Sequence, residues 1–333
     1  MTTVREIGEL ALIERIAAQV AAAGLSAPTV GGFDLRLGIG DDAAAWRLSS
    51  GTEVVTTDTV VEGMHFTRQS MPWADLGWKL WAANVSDVVS MGAVPLTGVV
   101  TLGLPSDLPL EAIDGLYEGM LDGCRCYGTL IVGGDVVGAH ELFVTVAVNG
   151  VCEAEPLRRD AALPGHAIAV TGSLGGSRGG LQLLTSEGTL SATEEHVLVA
   201  AHRRPLPRVE VGQALVAAGI RCAMDVSDGL TTDLAKMCAA SGVAARVDAT
   251  SVPVASGLWS VFPDQALNIA LAGGEDYEIL FTGPRETVER AVAQIPHAAV
   301  IGAVTEGDPG KVRVVRPDGQ EIPLELAGWE HLR

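Results

Sequence analysis

Six short stretches set an acid against glycine, serine, threonine or asparagine: GIGDD (38–42), TTDTVVEGMHF (56–66), NVSDVVSMGA (84–93), VGGDVVGA (132–139), MDVSDGL (224–230) and GGEDYE (273–278). Small and hydroxyl-bearing neighbours leave room around a carboxylate. Several of the stretches follow an apolar run, so they read as loops at strand ends, where α/β proteins build sites. Asp41 and Asp42 stand side by side and repel one another. An exposed Gly-Asp turn would tolerate that. A hard divalent ion shared with a polyphosphate would turn the repulsion into attraction, because Mg²⁺ takes one or two carboxylates together with phosphate oxygens.

Asp87 poses the same question from a helix. Its neighbours Val85, Val88 and Val89 are apolar, and Asn84 precedes it by about one turn on the same side. A carboxylate on a buried stripe is costly without a cation or a metal, whereas a surface Asp would only hydrogen-bond locally. Lysines that could neutralise it are scarce: Lys79, Lys236 and Lys311 are the whole set. Phosphate chemistry in this chain must therefore draw on arginine, backbone N–H groups or bound cations.

Other phosphate and metal devices fail on spacing. No GxxxxGK[ST] loop occurs. An EF-hand beginning at Asp225 would need its bidentate acid at Lys236. The seven histidines include no HExxH pair. The glycine-rich GSLGGSRGG (172–180) is either a phosphate loop or a plain strand-to-helix turn. His65 is either a hydrogen-bonded structural residue or a ligand contact, and Glu275 and Asp276 either cap a helix starting at Tyr277 or sit in a loop at the end of an apolar strand, IALA.

These loops need elements to hold them. Thr3 and Glu6 form a capping-box pattern ahead of Ile7, Leu10, Ile13, Ile16 and Val20, a helix that Gly24 ends. The β-branched runs at 52–61 and 142–150 predict strands. Helices are expected after Pro72 and through LPLEAIDGLYEGMLDGCRCYG, the second leading to the strand TLIVGGD. Trp73, Trp78 and Trp81 are expected to pack or to line a dimer interface. Pro and charge break the pattern between 151 and 164, which predicts domains over 1–150 and 151–333. The second half restarts with the strand HAIAVTG, the glycine-rich turn, a helix at LQLL, and CAMDVSDGLTTDLAKMCAASG as strand, loop and helix. Both halves are thus α/β or α+β, with strand order unreadable.

With 333 residues, 48% of them hydrophobic and 40 of them glycine, the chain has material for two cores. Its 41 acidic and 22 basic residues give a net charge of −19, which repels nucleic acid and anionic lipid. Five cysteines without framework spacing predict reduced, structural thiols. With neither an export signal nor a run of about 18 apolar residues, a cytoplasmic location is expected.

In order and approximate spacing, GIGDDAAAW, TTDTVVEGMHF, AANVSDVVSMGAVP, IVGGDVVGA, RPLPRVEVGQAL, MDVSDGLTTDL and LAGGEDYEILF resemble the thiamine-monophosphate kinases over about residues 5–332. That family belongs with aminoimidazole ribonucleotide synthetase, selenophosphate synthetase and the hydrogenase-maturation dehydratase. The resemblance implies a two-domain α/β protein that binds ATP without a P-loop in an N-terminal ATP/Mg²⁺ and dimerisation domain, its site completed by the C-terminal domain. It implies Mg²⁺-assisted in-line transfer from ATP to thiamine monophosphate, in a homodimer. Matched by motif, Asp42, Thr56, Thr57, Asp58, Asp87, Asp135, Asp225 and Asp228 stand at metal positions, with Asp42, Asp58, Asp87 and Asp135 carrying the catalysis. Gly134, Asp135, Arg159 and Ser227 match nucleotide contacts, and Tyr117 is a candidate for the adenine pocket. His65, Glu275 and Trp329 match the thiamine-phosphate side; many relatives have Tyr where this chain has Trp329, which keeps ring stacking and loses a phenol hydrogen bond. The alternatives are a purine-pathway synthetase of the same superfamily and a non-catalytic nucleotide-binding protein. The selenophosphate reading lacks an early reactive cysteine, since Cys124 is the first.

Overall fold

The structure, a computed structural model, describes residues 2–39, 43–186 and 193–323. The chain divides into two compact units, one of residues 1–88 and 93–155, the other of residues 89–92 and 156–333. Among the described residues no helix is long and apolar enough to cross a membrane.

The first unit opens with α1 (Val4–Ala22), where the backbone N–H of Thr3 donates to the Glu6 carboxylate as the capping pattern predicts. A hairpin of β1 (Asp34–Leu37) and β2 (Ala45–Arg47) precedes a four-stranded sheet. That sheet contains β3 (Thr52–Val61), β4 (Val94–Leu104), β5 (Leu130–Gly138) and β6 (Phe143–Cys152) in the order β3-β6-β4-β5. Helices α2 (Trp73–Ser90) and α3 (Leu110–Tyr127) supply its apolar cover. Leu110, Ile113, Leu116, Met120 and Cys124 recur at helical spacing on α3 and are all buried. Gly128 ends α3 in the left-handed conformation, as a C-terminal glycine should. Trp81 is fully buried with its indole N–H on the Thr129 hydroxyl at 2.9 Å, and Trp78 is buried too, so both are packing residues within this unit.

The sheet has a packed and an open face. Val144, Val146 and Val148 of β6 are fully buried, and pairing puts Val60, Asp58 and Thr56 of β3 opposite them. The alternate residues form the other face, where Val55 is 72% exposed and Val99 and Val137 are exposed as well.

The second unit is built on a mixed six-stranded sheet in the order β12-β9-β11-β7-β10-β8. Its strands are β7 (Ala167–Val170), β8 (Cys222–Asp225), β9 (Ala244–Asp248), β10 (Ile279–Gly283), β11 (Ala299–Thr305) and β12 (Val312–Val315). The helices are α4 (Gly176–Thr185), α5 (Thr193–Arg203), α6 (Val209–Ala218), α7 (Leu230–Ser241), α8 (Ser256–Val261), α9 (Ala266–Ala272) and α10 (Arg285–Val292). Ile168, Val170, Met224, Leu230, Leu234 and Leu280 join strands to α7 in one core. All five cysteines are free.

Two local expectations change. Helix α4 begins at Gly176, inside the glycine-rich turn, because its glycines face α5 and α8, where a side chain would collide. IALA belongs to α9 and not to a strand, so GGEDYE links a helix to the start of β10. A short apolar run fits either element by periodicity alone.

Candidate active site

In the first unit, strand and helix bring three of the expected residues together. Thr56 and Asp58 lie two apart on the packed side of β3, and the Thr56 hydroxyl donates to Asp87 Oδ2 of α2 at 2.6 Å. Asp87 is partly buried, next to Val85 and Val88, which are 0% and 1% exposed. A charged acceptor makes this a strong hydrogen bond, and it fixes the carboxylate against the sheet edge.

Strand alternation separates the remaining residues of that set. Thr57 sits on the open face, its hydroxyl on the Val146 carbonyl at 3.1 Å. Asp135, paired with Thr101 of β4, is on the open face of β5, three strand spacings or about 14 Å away. Its Oδ1 accepts the Val136 N–H at 2.9 Å. Gly134 has a local reason to be glycine, because a Cβ there would lie 2.1 Å from the Val100 carbonyl oxygen.

His65 closes a turn after β3. Its Nδ1 accepts the Val61 N–H at 3.1 Å, so in the neutral ring the proton is on Nε2, which can donate. A two-pronged Arg68–Glu62 ion pair (2.6 and 2.8 Å) and the Phe66–Trp73 edge contact hold the same turn. Tyr117 is 3% exposed on α3, and burial pushes its hydroxyl pKa up; a base could reach its ring only by displacing what covers it.

In the second unit three loops meet at one end of the sheet, after β7, after β8 and before β10. Antiparallel pairing sets Ile279 against Asp225 and Leu280 against Val170, which puts those strand ends side by side. The buried Asp225 ends β8. Asp233, 0% exposed on α7, folds the following loop by accepting the N–H groups of Ser227 (3.0 Å) and Asp228 (2.8 Å). Burial raises its pKa, against the pull of Lys236, whose ammonium donates to Asp233 at 2.9 Å and to Asp228. Asp228, expected at a metal, thus already carries one of the three lysines.

The GGEDYE loop carries three working acids. Glu275 and Tyr277 adopt φ of 65° and 53°, unusual for residues with a Cβ. Hydrogen bonds from the Glu275 N–H to Ser227 O (2.7 Å) and from the Tyr277 N–H to Val226 O (3.0 Å) hold them there. Asp276 accepts the N–H groups of Gly175 (2.6 Å) and Ser177 (3.1 Å) at the start of α4. Burial raises its pKa to about 7, with Glu278 and Glu275 adding to the rise and the two N–H bonds opposing it. Glu278 accepts the Thr171 hydroxyl at 2.6 Å and the Arg208 guanidinium at 3.1 Å, so Arg208 of the RPLPR stretch braces the β7 loop. Glu275 Oε2 lies 3.6 Å from His202 Nδ1.

Arg159 stands elsewhere in this unit. Its carbonyl accepts the Ser241 hydroxyl at the C-terminal end of α7, while Ser227 precedes the other end, about 18 Å along the helix. Asp42 and Trp329 lie outside the described residues.

The donors in the first unit are hard oxygens, as Mg²⁺ requires. Among the described residues no three His, Cys, Asp or Glu side chains gather closely enough to hold a metal ion. What the structure does show there is the Thr56 hydroxyl on the Asp87 carboxylate, with Asp58 on the same face of β3. Sequence reasoning passed over Asp233, Glu278, Arg208 and His202. The first three lie within stretches it had singled out, and only burial and partners reveal their work.

Family models for the AIR synthase related protein match in two pieces, the N-terminal domain over residues 40–152 and the C-terminal domain over residues 164–315. Thiamine-monophosphate kinase of Bacillus subtilis (strain 168) is 36% identical over 309 residues, covering 89% of this chain and 94% of that protein. The enzyme of the same description from Salmonella typhimurium is 36% identical over 335 residues, covering 97% and 98%. The solved structure of AaThiL complexed with AMPPCP and TMP matches with a TM-score of 0.77 at 31% identity, covering 100% of this chain and 99% of that one.

Proposed function

Because this chain belongs to the thiamine-monophosphate kinase family, within the AIR synthase-related proteins, we propose that it phosphorylates thiamine monophosphate to thiamine diphosphate at the expense of ATP. The observation that carries this reading is the end-to-end match to relatives of that activity, 97% of the chain in one case. In the transfer an oxygen of the acceptor phosphate bonds to the γ-phosphorus of ATP as the bond from that phosphorus to the ADP oxygen breaks. An ionised phosphate acceptor brings its own negative charge, so positioning and charge neutralisation carry the catalysis and no strong general base is needed.

Mg²⁺, when bound, supplies the positive charge that lets two anionic phosphates approach in a chain of net charge −19. Thr56, Asp58 and Asp87 would hold an ion on one face of the first unit, with Asp42 beside them in the sequence set, and Asp225 is proposed by itself as a metal position of the second unit. Thr57 and Asp135, on the other face of the sheet and about 14 Å apart, would each serve a separate ion. Asp228 would join only after giving up Lys236. Gly134, Asp135, Ser227, Arg159 and Tyr117 are proposed for the nucleotide. His65 would donate from Nε2 to the acceptor phosphate. Glu275 would meet the cationic thiamine moiety, and Trp329 would stack on it.

Exposed Val55, Val99 and Val137 on the open sheet face support a homodimer through the first unit, and the free cysteines support a cytoplasmic location. Incubating the purified chain with ATP, MgCl₂ and thiamine monophosphate should give ADP and thiamine diphosphate in equal amounts. Absence of product across a range of Mg²⁺ concentrations would overturn the reading. ADP release that depends on a purine-pathway acceptor, or nucleotide binding without turnover, would point to the alternatives.

A further inference from the structure

We propose that Asn84 supplies a further oxygen ligand to the cation at Asp87, a neutral amide beside the carboxylate; the inference rests on the reading of Thr56, Asp58 and Asp87 as a metal set. Asn84 stands on α2 three residues before Asp87, a spacing that makes the two side chains neighbours on the helix surface. Asp87 is the residue by which that surface meets Thr56 of β3. Asn84 is 0% exposed, and Leu80, Val85 and Val88 around it on the helix are buried as well. Its Nδ2 donates to the Leu80 carbonyl at 3.0 Å. A carbonyl accepts only from a donor, so this bond settles which prong of the amide is nitrogen and leaves Oδ1 as the other. Among the described residues that buried Oδ1 has no hydrogen-bond partner. The Leu80 carbonyl, for its part, takes the backbone N–H of Asn84 in the regular helical pattern, so the side-chain bond meets no need of the helix. A buried acceptor left unmet costs folding free energy that an apolar side chain of the same shape would not. The return on that cost lies in something the polypeptide itself does not supply.

Size decides between a water and a cation. A water at ordinary hydrogen-bond length stands about 2.8 Å from its acceptor and needs room that an oxygen closed off from solvent lacks. Mg²⁺ binds oxygen at about 2.0–2.1 Å, accepts amide carbonyls as it does carboxylates, and takes far less space than a water. Two ligands three residues apart on one helix can reach a single ion, as the Glu-x-x-His pairs of helical bundles do. The carboxylates alone fall short, since among the described residues no three His, Cys, Asp or Glu side chains gather closely enough for a metal. Neutral oxygens must therefore fill the shell, and the Thr56 hydroxyl and the Asn84 amide are the ones beside Asp87. A neutral ligand also holds the ion without cancelling its charge. That leaves more of the positive charge for the two phosphates, which matters in a chain of net charge −19.

The test is a titration of the full chain with MnCl₂, followed by electron paramagnetic resonance, beside thermal scans of the same proteins with and without MgCl₂. Asp87→Asn comes first and should weaken Mn²⁺ binding. Asn84→Leu keeps the branching of the side chain and removes the oxygen. It should weaken Mn²⁺ binding by about 10–100-fold, no less than the loss of a ligand's supporting partner, while its metal-free Tm equals or exceeds that of the parent. Asn84→Asp should bind Mn²⁺ at least as tightly as the parent, with a lower metal-free Tm that MgCl₂ restores and a lower kcat, because the added charge cancels part of the ion's. If Asp87→Asn binds Mn²⁺ like the parent, the metal set itself fails. If Asp87→Asn weakens binding and Asn84→Leu does not, Asn84 is a packing residue and the proposal is overturned. Should Asn84→Leu fail to fold, Asn84→Asp decides alone: Mn²⁺ binding weaker than the parent's, or a Tm that MgCl₂ does not restore, would sink it.

Discussion

Gly180→Ala puts the α4–α5 packing on trial. A Cβ at this position would lie 2.1 Å from the Leu198 carbonyl oxygen, 2.6 Å from its carbon and 3.0 Å from His202 Cβ. Ordinary contact begins near 3.4 Å, so α5 must retreat by about 1.3 Å, the difference between 3.4 and 2.1 Å. Two effects oppose each other. Alanine in a helix interior gains about 0.8–1.0 kcal/mol over glycine, while forcing an extra carbon into a packed interface costs about 1–3 kcal/mol. Here the obstacle is main chain, which cannot rotate away like a side chain, so the upper half of that range applies. A net loss of about 1–2 kcal/mol follows. At about 2–4 °C per kcal/mol for a unit of this size, Tm should fall by roughly 2–8 °C in scanning calorimetry. Gly138→Ala is the control, because nothing lies within 4 Å of its Cβ direction. A Gly180→Ala protein as stable as the parent, or more so, would refute this account of why α4 begins in glycines.

Asp87→Asn should lower kcat/KM by about 10²–10³-fold, the scale for removing one electrostatic group from a transferring site, and Thr56→Val by about 10–100-fold through the lost hydrogen bond to Asp87; equal and small losses would remove both from the machinery. Asp276 has its folded-state pKa raised to about 7 from the ordinary carboxylate range, so its stabilising contribution is complete below about pH 4 and is lost as pH rises through about 7. Three units at 1.36 kcal/mol each set a ceiling of about 4 kcal/mol, which partial exposure reduces to about 1–2 kcal/mol. The Tm of the parent relative to Asp276→Asn should accordingly decline between pH 4 and 8, and a flat or rising difference would contradict it.

Much of the fold was legible because its long elements carry strong periodic signals. The capped α1, the α3 stripe from Leu110 to Cys124 and the β-branched β3 all stand where pattern and punctuation predict them. The start of α4 was not, since five glycines in nine residues speak for a loop by propensity, and only the nearness of α5 turns their missing side chains into an advantage. Strand period alone could have divided Thr56 from Thr57, because adjacent residues of a strand must face opposite ways. The strand order that sets Asp135 about 14 Å from Thr57 could not be read, as pairing between distant segments leaves no local mark.

The acids of the second unit draw a sharper line between what letters and what burial reveal. A sequence presents Asp225, Asp228, Asp233, Glu275, Asp276 and Glu278 as equals. Folding assigns three of them to construction: Asp233 holds the loop after β8, Asp276 holds the start of α4, and Glu278 with Arg208 holds the β7 loop. Each holds a neighbouring backbone or side-chain donor, a cost worth bearing only where loop shape matters more than charge economy. That division explains how so acidic a chain can present few carboxylates to a phosphate. It also means that acid-to-amide substitutions should fall into two groups here, with Asp233→Asn and Glu278→Gln lowering Tm and Glu275→Gln leaving it nearly unchanged while raising KM for the acceptor. Thermal scans and steady-state kinetics on the same three proteins check this, and a Glu275→Gln protein that loses as much Tm as Asp233→Asn would erase the distinction.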